Sequence, residues 1–241
     1  MTDFAGKTYW LVGASEGLGR ALAHELDRKG ATLILSARNG NRLRGLAGEL
    51  NNASALPLDV TDLEAVRHAA ASIDALDGVI YGAGAYNPMH TGDWNTETAL
   101  KMTDVNYSGA LRVLGEVVPR FILDGQGDIT LIGSLGGYRG LPASVGYCAS
   151  KAALVSLAET MRFDLRKSGV VVRIVNPGFI KTRLTDKNSF HMPQLMTPEK
   201  AAARVARAMV SRRFRTDFPA PFSWAMRALE YLPDVLVYRG R

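Results

Sequence analysis

A tyrosine and a lysine near the middle of the chain stand one helical turn apart, in the segment Tyr147-Cys148-Ala149-Ser150-Lys151. Tyrosine normally ionises near pH ~10, so it can act as an acid or base near neutrality only if a cation favours its phenolate form. Lys151 supplies such a cation on the same helix face. The pair indicates proton transfer, although a Tyr and a Lys at this spacing also arise often by chance.

Two polar residues upstream could take part in the same chemistry. Ser134 follows the apolar run Asp128–Gly133, at the carboxyl end of an expected strand. A hydroxyl there could donate to a substrate oxygen and orient it towards Tyr147. Asn106 lies in the long helical stretch before that strand, where it could equally be a polar group that only bonds nearby backbone.

A glycine-rich segment, Gly13-Ala14-Ser15-Glu16-Gly17-Leu18-Gly19, follows the first apolar run and opens a helical pattern. Glycines let the backbone turn sharply and approach a pyrophosphate, while free amides and the helix dipole favour negative charge. The spacing G-x-x-x-G-x-G differs from the phosphate loop of NTPases and from G-x-G-x-x-G. The segment predicts a dinucleotide site, although a turn that only serves packing is the alternative.

The elements that must position these residues alternate along the chain. Short apolar runs predict six strands, at Thr8–Val12, Leu33–Ser36, Ala55–Leu58, Gly78–Tyr81, Asp128–Ile132 and Val170–Val175. Helical periods between them predict helices at Gly17–Lys29, Arg42–Leu50, Leu63–Asp74, Thr98–Leu123 and Val145–Lys167. Repeated βαβ units with apolar strands indicate a parallel sheet covered on both faces, with ligands at the carboxyl ends of its strands.

The order and spacing of these motifs resemble the short-chain dehydrogenases/reductases. The likeness continues through Asn176-Pro177-Gly178-Phe179-Ile180-Lys181-Thr182 and so covers about residues 5–210. It implies a single α/β domain over residues 1–241, a three-layer doubly wound Rossmann fold with a mainly parallel seven-stranded sheet. It also implies an NAD(P)-dependent oxidoreductase that moves a hydride between nicotinamide and a carbonyl or alcohol carbon.

The resemblance assigns roles residue by residue. It makes Ser134, Tyr147 and Lys151 catalytic, with Asn106 relaying protons through water to Lys151. Lys151 also bonds the nicotinamide ribose, Ile180 and Thr182 hold the carboxamide, and Asp59 and Val60 contact adenine. The full set of expected cofactor-binding residues is Gly13, Ser15, Glu16, Gly17, Leu18, Gly19, Arg38, Asp59, Val60, Ala83, Gly84, Tyr147, Lys151, Pro177, Gly178, Ile180 and Thr182.

Four positions depart from the usual pattern of that family. Val12 replaces a Thr, Gly82 stands in the segment that usually reads Asn-Asn-Ala-Gly, and Gly133 replaces a Ser. These three changes remove side-chain hydrogen bonds that brace the site. The fourth departure, Glu16, places an acid inside the phosphate loop.

The cofactor preference depends on the end of the second strand, Leu35-Ser36-Ala37-Arg38. Enzymes that select NAD generally have Asp or Glu there, whereas Arg38 offers a planar fork suited to a 2′-phosphate. We therefore expect NADP(H), with NAD(H) the less favoured choice. There are two alternatives to this preference: Arg38 only begins a solvated helix, or Glu16 repels the phosphate.

Composition narrows the remaining classes. The single Cys148 and the spacing of the four histidines predict no disulfide and no metal site. No apolar run approaches the ~20 residues of a spanning helix, which predicts a cytoplasmic protein. The net charge of +6 arises entirely from residues 200–241, with nine basic and three acidic side chains. These basic residues form no nucleic-acid reading motif.

The sequence leaves alternatives open for the substrate and for the C-terminal segment. Tyr86–Trp94, Leu135–Arg139 and a loop at Lys181–Thr197 should line the substrate site, and their aromatic residues, with Phe179, predict a hydrophobic carbonyl compound. A reductase of carrier-bound 3-oxoacyl groups and a non-catalytic redox sensor are the alternatives. The basic, aromatic tail from about 212 to 241 should pack over the pocket or in a subunit contact, with weak membrane-surface contact the alternative. The family resemblance implies a homodimer or homotetramer.

Overall fold

Seven strands form the sheet of this computed structural model, which describes residues 4–188 and 190–237. They are β1 Thr8–Val12, β2 Thr32–Ser36, β3 Ala53–Ala55, β4 Gly78–Tyr81, β5 Gly127–Ile132, β6 Val170–Pro177 and β7 Arg215–Phe218. Every pairing is parallel, in the order β3-β2-β1-β4-β5-β6-β7. Chain order reverses between β1 and β4, so a crevice opens at the carboxyl ends of these strands. The doubly wound Rossmann fold predicted above is confirmed.

Helices cover both faces of the sheet. Within the described residues they are α1 Gly17–Asp27, α2 Gly40–Glu49, α3 Leu63–Ala71, α4 Thr96–Thr103, α5 Gly109–Leu123, α6 Val145–Asp164, α7 Pro198–Met209, α8 Phe222–Ala228 and α9 Asp234–Val237. One apolar cluster joins α1, α2 and α7 to the sheet, and a second joins α3, α5 and α6 to the other face. Trp10 and Leu11, neighbours in β1, are both fully buried and belong to opposite clusters. Alternation along the strands thus separates the two halves of the core.

The structure differs from the expected elements at both sheet edges. β3 is shorter and earlier than the predicted strand at Ala55–Leu58, because Pro57 cannot donate to a regular ladder. β7 has no counterpart among the predicted strands, since its sequence Arg-Thr-Asp-Phe contains no apolar run. The segment expected as a tail from residue 212 therefore includes a strand of the sheet.

The long helix expected at Thr98–Leu123 is interrupted. A π-helical turn at Asp104–Ser108 separates α4 from α5, and Asn106 lies fully buried inside it. Such turns interrupt the regular backbone ladder and are often retained where a side chain serves a site. None of the helices within residues 4–188 and 190–237 is long and apolar enough to cross a membrane.

Candidate active site

Ser134 and Tyr147 meet at the carboxyl edge of the sheet. Ser134 follows β5 directly, and Tyr147 lies in the first turn of α6, so the end of a strand and the start of a helix present two hydroxyl groups together. The two side chains are hydrogen-bonded. The Ser134 hydroxyl also accepts a bond of 3.1 Å from the Gly136 amide, which orients it.

Lys151 lies one turn further along α6 and is buried. Its ammonium donates to the Ile132 carbonyl at 2.9 Å and lies 5.9 Å from the centroid of the Tyr147 ring. Burial lowers the pKa of Lys151 to about 8. Lys151 therefore loses its positive charge at a pH close to the physiological range.

Burial acts on Tyr147 in the opposite direction. It raises the pKa of the phenol to about 12, and the hydrogen bond with Ser134 opposes that shift. The Tyr86 ring packs edge-on against the Tyr147 ring, with centroids 5.0 Å apart. In the protein alone Tyr147 thus carries a proton, and the lowering of its pKa by Lys151 stays a prediction.

Asn106 reaches the site indirectly. Its amide nitrogen donates to the Ala85 carbonyl at 3.0 Å and to the Ser150 hydroxyl at 2.9 Å, while its oxygen accepts from the Ala85 amide at 2.6 Å. Ser150 in turn donates to the Tyr147 carbonyl at 2.7 Å. The side chain therefore links the loop after β4 to the first turn of α6. These hydrogen bonds extend beyond the nearby backbone, so Asn106 is more than a polar group that only bonds backbone close to it in the chain.

The glycine-rich segment forms a tight cradle between β1 and α1. Gly13 has φ +96°, and a Cβ there would lie 2.5 Å from the Ala83 amide nitrogen. A Cβ on Gly19 would lie 2.0 Å from the Gly13 carbonyl oxygen. Gly17 has φ +56° and faces Thr182, whose methyl would lie 2.9 Å from a Cβ. These glycines allow β1, α1 and the loop after β4 to approach closely. The N-terminus of α1 beside them offers free amides and a dipole that suit a pyrophosphate, so the residues present fit the expected dinucleotide.

The other residues of the loop take different positions. Leu18 packs against the core, and Ser15 is half-buried. Glu16 turns to two guanidinium groups, Arg42 on α2 at 2.8 Å and Arg183 in the predicted substrate loop at 2.6 Å. The carboxylate is thereby neutralised by cations that the motif analysis did not single out.

A cavity of about 550 Å³ lies beside the ends of β2 and β3. Arg38 and Asp59 both line it, together with residues of α4 and the π-helical turn. Partial burial opposes ionisation of Asp59, but hydrogen bonds from the Thr61 amide and hydroxyl hold its pKa below the usual range. Val60 instead turns inward and packs near Gly109. The expected adenosine end is therefore a cavity with both polar and apolar lining and an exposed arginine at its rim.

The segment after β6 comes close to the glycine-rich loop. Pro177 ends the strand, and the Gly178 amide donates to the Phe218 carbonyl at 2.7 Å. Ile180 is buried and pairs with Met196, which closes the base of the substrate loop. Thr182 faces Gly17. Ala83 lies beside Gly13, and the exposed Gly84 lies near Asn106, so the loops after β1, β4 and β6 meet at the glycine-rich segment.

The expected substrate wall is formed in part. The Tyr86 hydroxyl donates to the Asn188 side chain at 2.8 Å, which ties this wall to the substrate loop. Phe179 contacts Phe190 edge-on and stacks on Phe222 of α8. Tyr138, in contrast, is buried in a cluster with Leu135 and Met226.

A buried polar network behind Ser134 accounts for the Tyr138 position. The Tyr138 hydroxyl donates to Asp217 at 2.6 Å, and Asn176 donates to both groups, at 3.0 and 2.9 Å. The Asn176 oxygen occupies the space beside Gly133, where a Cβ would lie only 2.0 Å away. A serine at position 133 would therefore clash with Asn176.

Comparisons with known proteins identify the family of this chain. The family described as short chain dehydrogenase matches residues 7–192. An uncharacterized oxidoreductase of Myxococcus xanthus is 33% identical over 244 aligned residues, covering 98% of this chain and 96% of that protein. A 3-oxoacyl-(acyl-carrier-protein) reductase of Rickettsia bellii is 29% identical over 198 residues, covering 82% of each.

Solved structures extend the likeness to the whole fold. A short-chain dehydrogenase from Sphingobium yanoikuyae in complex with NADPH has a TM-score of 0.85 and 26% identity, covering 98% of this chain and 96% of that one. Fold, sequence relatives and family match therefore agree. The chain belongs to the short-chain dehydrogenase/reductase family of oxidoreductases.

Proposed function

We propose that this protein is an NADP(H)-dependent oxidoreductase that reduces the carbonyl of a small apolar substrate or oxidises the corresponding alcohol. The observation that carries the proposal is the grouping of Ser134, Tyr147 and Lys151 beside the glycine cradle. Two hydrogen-bonded hydroxyl groups and a buried ammonium lie where the fold places ligands. The complete set argues against a non-catalytic redox sensor.

Each side chain has a distinct task in the proposed reaction. The bound nicotinamide supplies the hydride for the carbonyl carbon, or accepts it in the reverse direction. Ser134 donates a hydrogen bond that holds the substrate oxygen, and Tyr147 gives that oxygen its proton. The charge on Lys151 stabilises the tyrosinate that remains until solvent returns the proton.

Asn106 acts by positioning in this proposal. Its bonds to Ala85 and to Ser150 hold the loop after β4 against the helix turn between Tyr147 and Lys151. The expected relay from Asn106 through water to Lys151 stays a prediction. In either role, the residue acts on the reacting atoms through others.

The preference for NADP(H) rests on Arg38. Its guanidinium lines the cavity at the end of β2, and Glu16, the residue expected to oppose a phosphate, is engaged by Arg42 and Arg183. The Sphingobium structure holds NADPH on the same fold. NAD(H) is the alternative, and we further propose a cytoplasmic location.

Replacing Tyr147 by Phe tests the proposed chemistry. The change keeps the ring, including its contact with Tyr86, and removes the acid, so kcat for carbonyl reduction should fall at least about 100-fold. NADPH affinity, measured by fluorescence titration, serves as the control and should change less than about threefold. Near wild-type turnover with intact NADPH binding would refute the assignment of Tyr147.

A 3-oxoacyl reductase acting on carrier-bound thioesters is the second candidate. The Rickettsia relative carries that name, and the excess positive charge of residues 200–241 could attract an acidic carrier protein. Acetoacetyl thioesters on carrier protein and on free pantetheine should be compared with simple ketones. A kcat/KM at least 100-fold higher for the carrier-bound thioester would favour this candidate.

A further inference from the structure

Resting on the proposed function, we infer that Phe222 of α8 is a specificity-determining residue that selects substrates with an aromatic ring beside the carbonyl. Together with Phe179 and Phe190 it forms the phenylalanine cluster, whose members come from three separate segments. Phe179 follows β6, Phe190 lies in the substrate loop, and Phe222 begins α8. The C-terminal segment would thus complete the substrate site.

One member of the phenylalanine cluster, Phe222, packs against the cluster that contains Leu135. A Cβ on Gly178 would be 3.3 Å from a methyl of Leu135 and 3.4 Å from the Phe222 ring. Leu135 directly follows Ser134, so the Phe222 ring packs against the turn that carries the catalytic hydroxyl. A substrate held by Ser134 would extend its carbon substituent towards this wall.

The rings are arranged to receive a further ring. Phe222 stacks on Phe179 with centroids 5.7 Å apart and planes at 23°, whereas Phe190 meets Phe179 at 70°, also at 5.7 Å. Phe190 is 51% exposed and so leaves apolar ring surface open. Aromatic groups prefer such stacked and edge-on contacts over equal contact with saturated carbon. The geometry therefore favours an aromatic substituent over a saturated one of the same size.

Two cations of the substrate loop, Arg183 and Lys187, are engaged elsewhere. Lys187 donates to the Tyr86 carbonyl at 2.7 Å, and Arg183 pairs with Glu16 at 2.6 Å. The Phe222 amide donates to the side chain of Gln194 at 3.4 Å, which fixes the start of α8 against the same loop. The phenylalanine cluster is thus held from the substrate loop and from the start of α8.

The test compares two ketones of similar size, acetophenone and cyclohexyl methyl ketone, with NADPH as coenzyme. The measured quantity is the ratio of their kcat/KM values, because intrinsic reactivity cancels when that ratio is compared between variants. Phe222→Ala and Phe222→Leu should lower the ratio by about threefold to tenfold. Trp224→Ala is the matched control, since Trp224 lies on α8 but is 70% exposed, and it should leave the ratio unchanged.

The outcomes separate this inference from the proposed function. Reduction of both ketones with the same ratio in wild type and in Phe222→Leu would overturn the inference and leave the function standing. If wild type reduces neither ketone, calorimetry with benzyl alcohol and cyclohexylmethanol on the NADP⁺-loaded protein measures the same selectivity. A preference for benzyl alcohol that Phe222→Leu abolishes supports the inference, and equal affinities in wild type refute it. Phe222→Leu retains apolar volume if Phe222→Ala does not fold.

Discussion

Burial perturbs both members of the Tyr147 and Lys151 pair towards their neutral forms. It raises the pKa of the tyrosine to about 12 and lowers that of the lysine to about 8. The folded chain therefore works against the charged lysine that the proposed reaction needs. A buried charge that lowers the stability of the fold is expected at a residue that serves the chemistry of the site.

Lys151→Met should increase the free energy of unfolding, and the size of the increase should depend on pH. Below pH 8 the lysine is charged in both the folded and the unfolded state, so folding must bury the charge. Between pH 8 and 10.5 the unfolded chain binds more protons than the folded chain, so the stability of the wild type rises with pH. After allowing for the lost hydrogen bond to Ile132, the variant should be more stable by about 2 kcal/mol at pH 7.

Urea unfolding of wild type and Lys151→Met at pH 7 and at pH 10 measures this difference. Other titrating groups are common to both proteins, so the change in the difference between the two pH values isolates Lys151. The advantage of the variant should shrink at pH 10. A variant that is less stable at pH 7, or an advantage that grows with pH, would contradict the assigned ionisation.

Arg38→Asp tests the coenzyme preference at the rim of the adenosine cavity. The change removes a phosphate partner and adds a repelling carboxylate, so NADPH affinity should fall by about 2–3 kcal/mol, while NADH affinity changes less. Calorimetric titration of both coenzymes measures the swing. Arg166→Asp carries the same charge change after the far end of α6 and should leave the preference intact. A wild-type preference for NADH would refute the role of Arg38.

At the scale of elements, β7 and α8 attach the C-terminal segment to the active site. β7 completes the sheet beside β6, and Met226 of α8 is buried against Leu135, with Phe222 and Leu229 on the same side. Phe222, Met226 and Leu229 thus cover the turn after Ser134. This packing supports the interpretation that the C-terminal segment packs over the pocket. Residues Tyr238 to Arg241 lie outside the described residues.

Truncation tests the role of these elements. Ending the chain after Thr216 cuts β7 in half and exposes the Leu135 cluster, so the protein should fail to fold; ending it after Leu232 keeps α8 and should preserve both fold and activity. Circular dichroism and ketone reduction measure these outcomes.

Trp224, Tyr231 and Val235 are exposed, which leaves membrane contact as the alternative for this segment. Sedimentation with anionic vesicles decides between the two roles. Vesicle binding that salt weakens, and that Trp224→Ala abolishes while ketone reduction survives, would instead make the segment a membrane contact.

At the scale of the whole molecule, apolar side chains remain uncovered on α5 and α6. Leu111 and Ile122 on α5 and Phe163 on α6 are exposed, Phe163 to 69%. Surface of this kind on two long helices fits a two-fold contact between copies of the chain. We therefore expect a homodimer or homotetramer in solution.

Light scattering at micromolar concentration should give at least twice the 26.1 kDa chain mass. Phe163→Glu should shift the protein towards the monomer, because a charge in an apolar contact is costly. Trp224→Glu, which adds the same charge on another surface, is the control. A wild-type protein that runs only as a 26.1 kDa species would contradict the expected assembly.

The sequence by itself determined the features that depend on local repetition. Apolar runs alternating with helical periods predicted the parallel sheet, because a strand buried on both faces must be apolar throughout. The spacing of Tyr147 and Lys151 follows from the helix period alone, and the glycines of residues 13–19 predicted a turn that only glycine can make. These signals lie within a few residues of one another.

Only the tertiary structure decided what meets across the fold. The partners of Glu16, the clash that Asn176 would impose on a side chain at 133, and the stacking of Phe222 on Phe179 join segments more than 20 residues apart. The strand β7 likewise depends on its neighbour, because an edge strand needs no continuous apolar run. Periodicity specifies which face of an element is apolar, but packing selects which atoms touch.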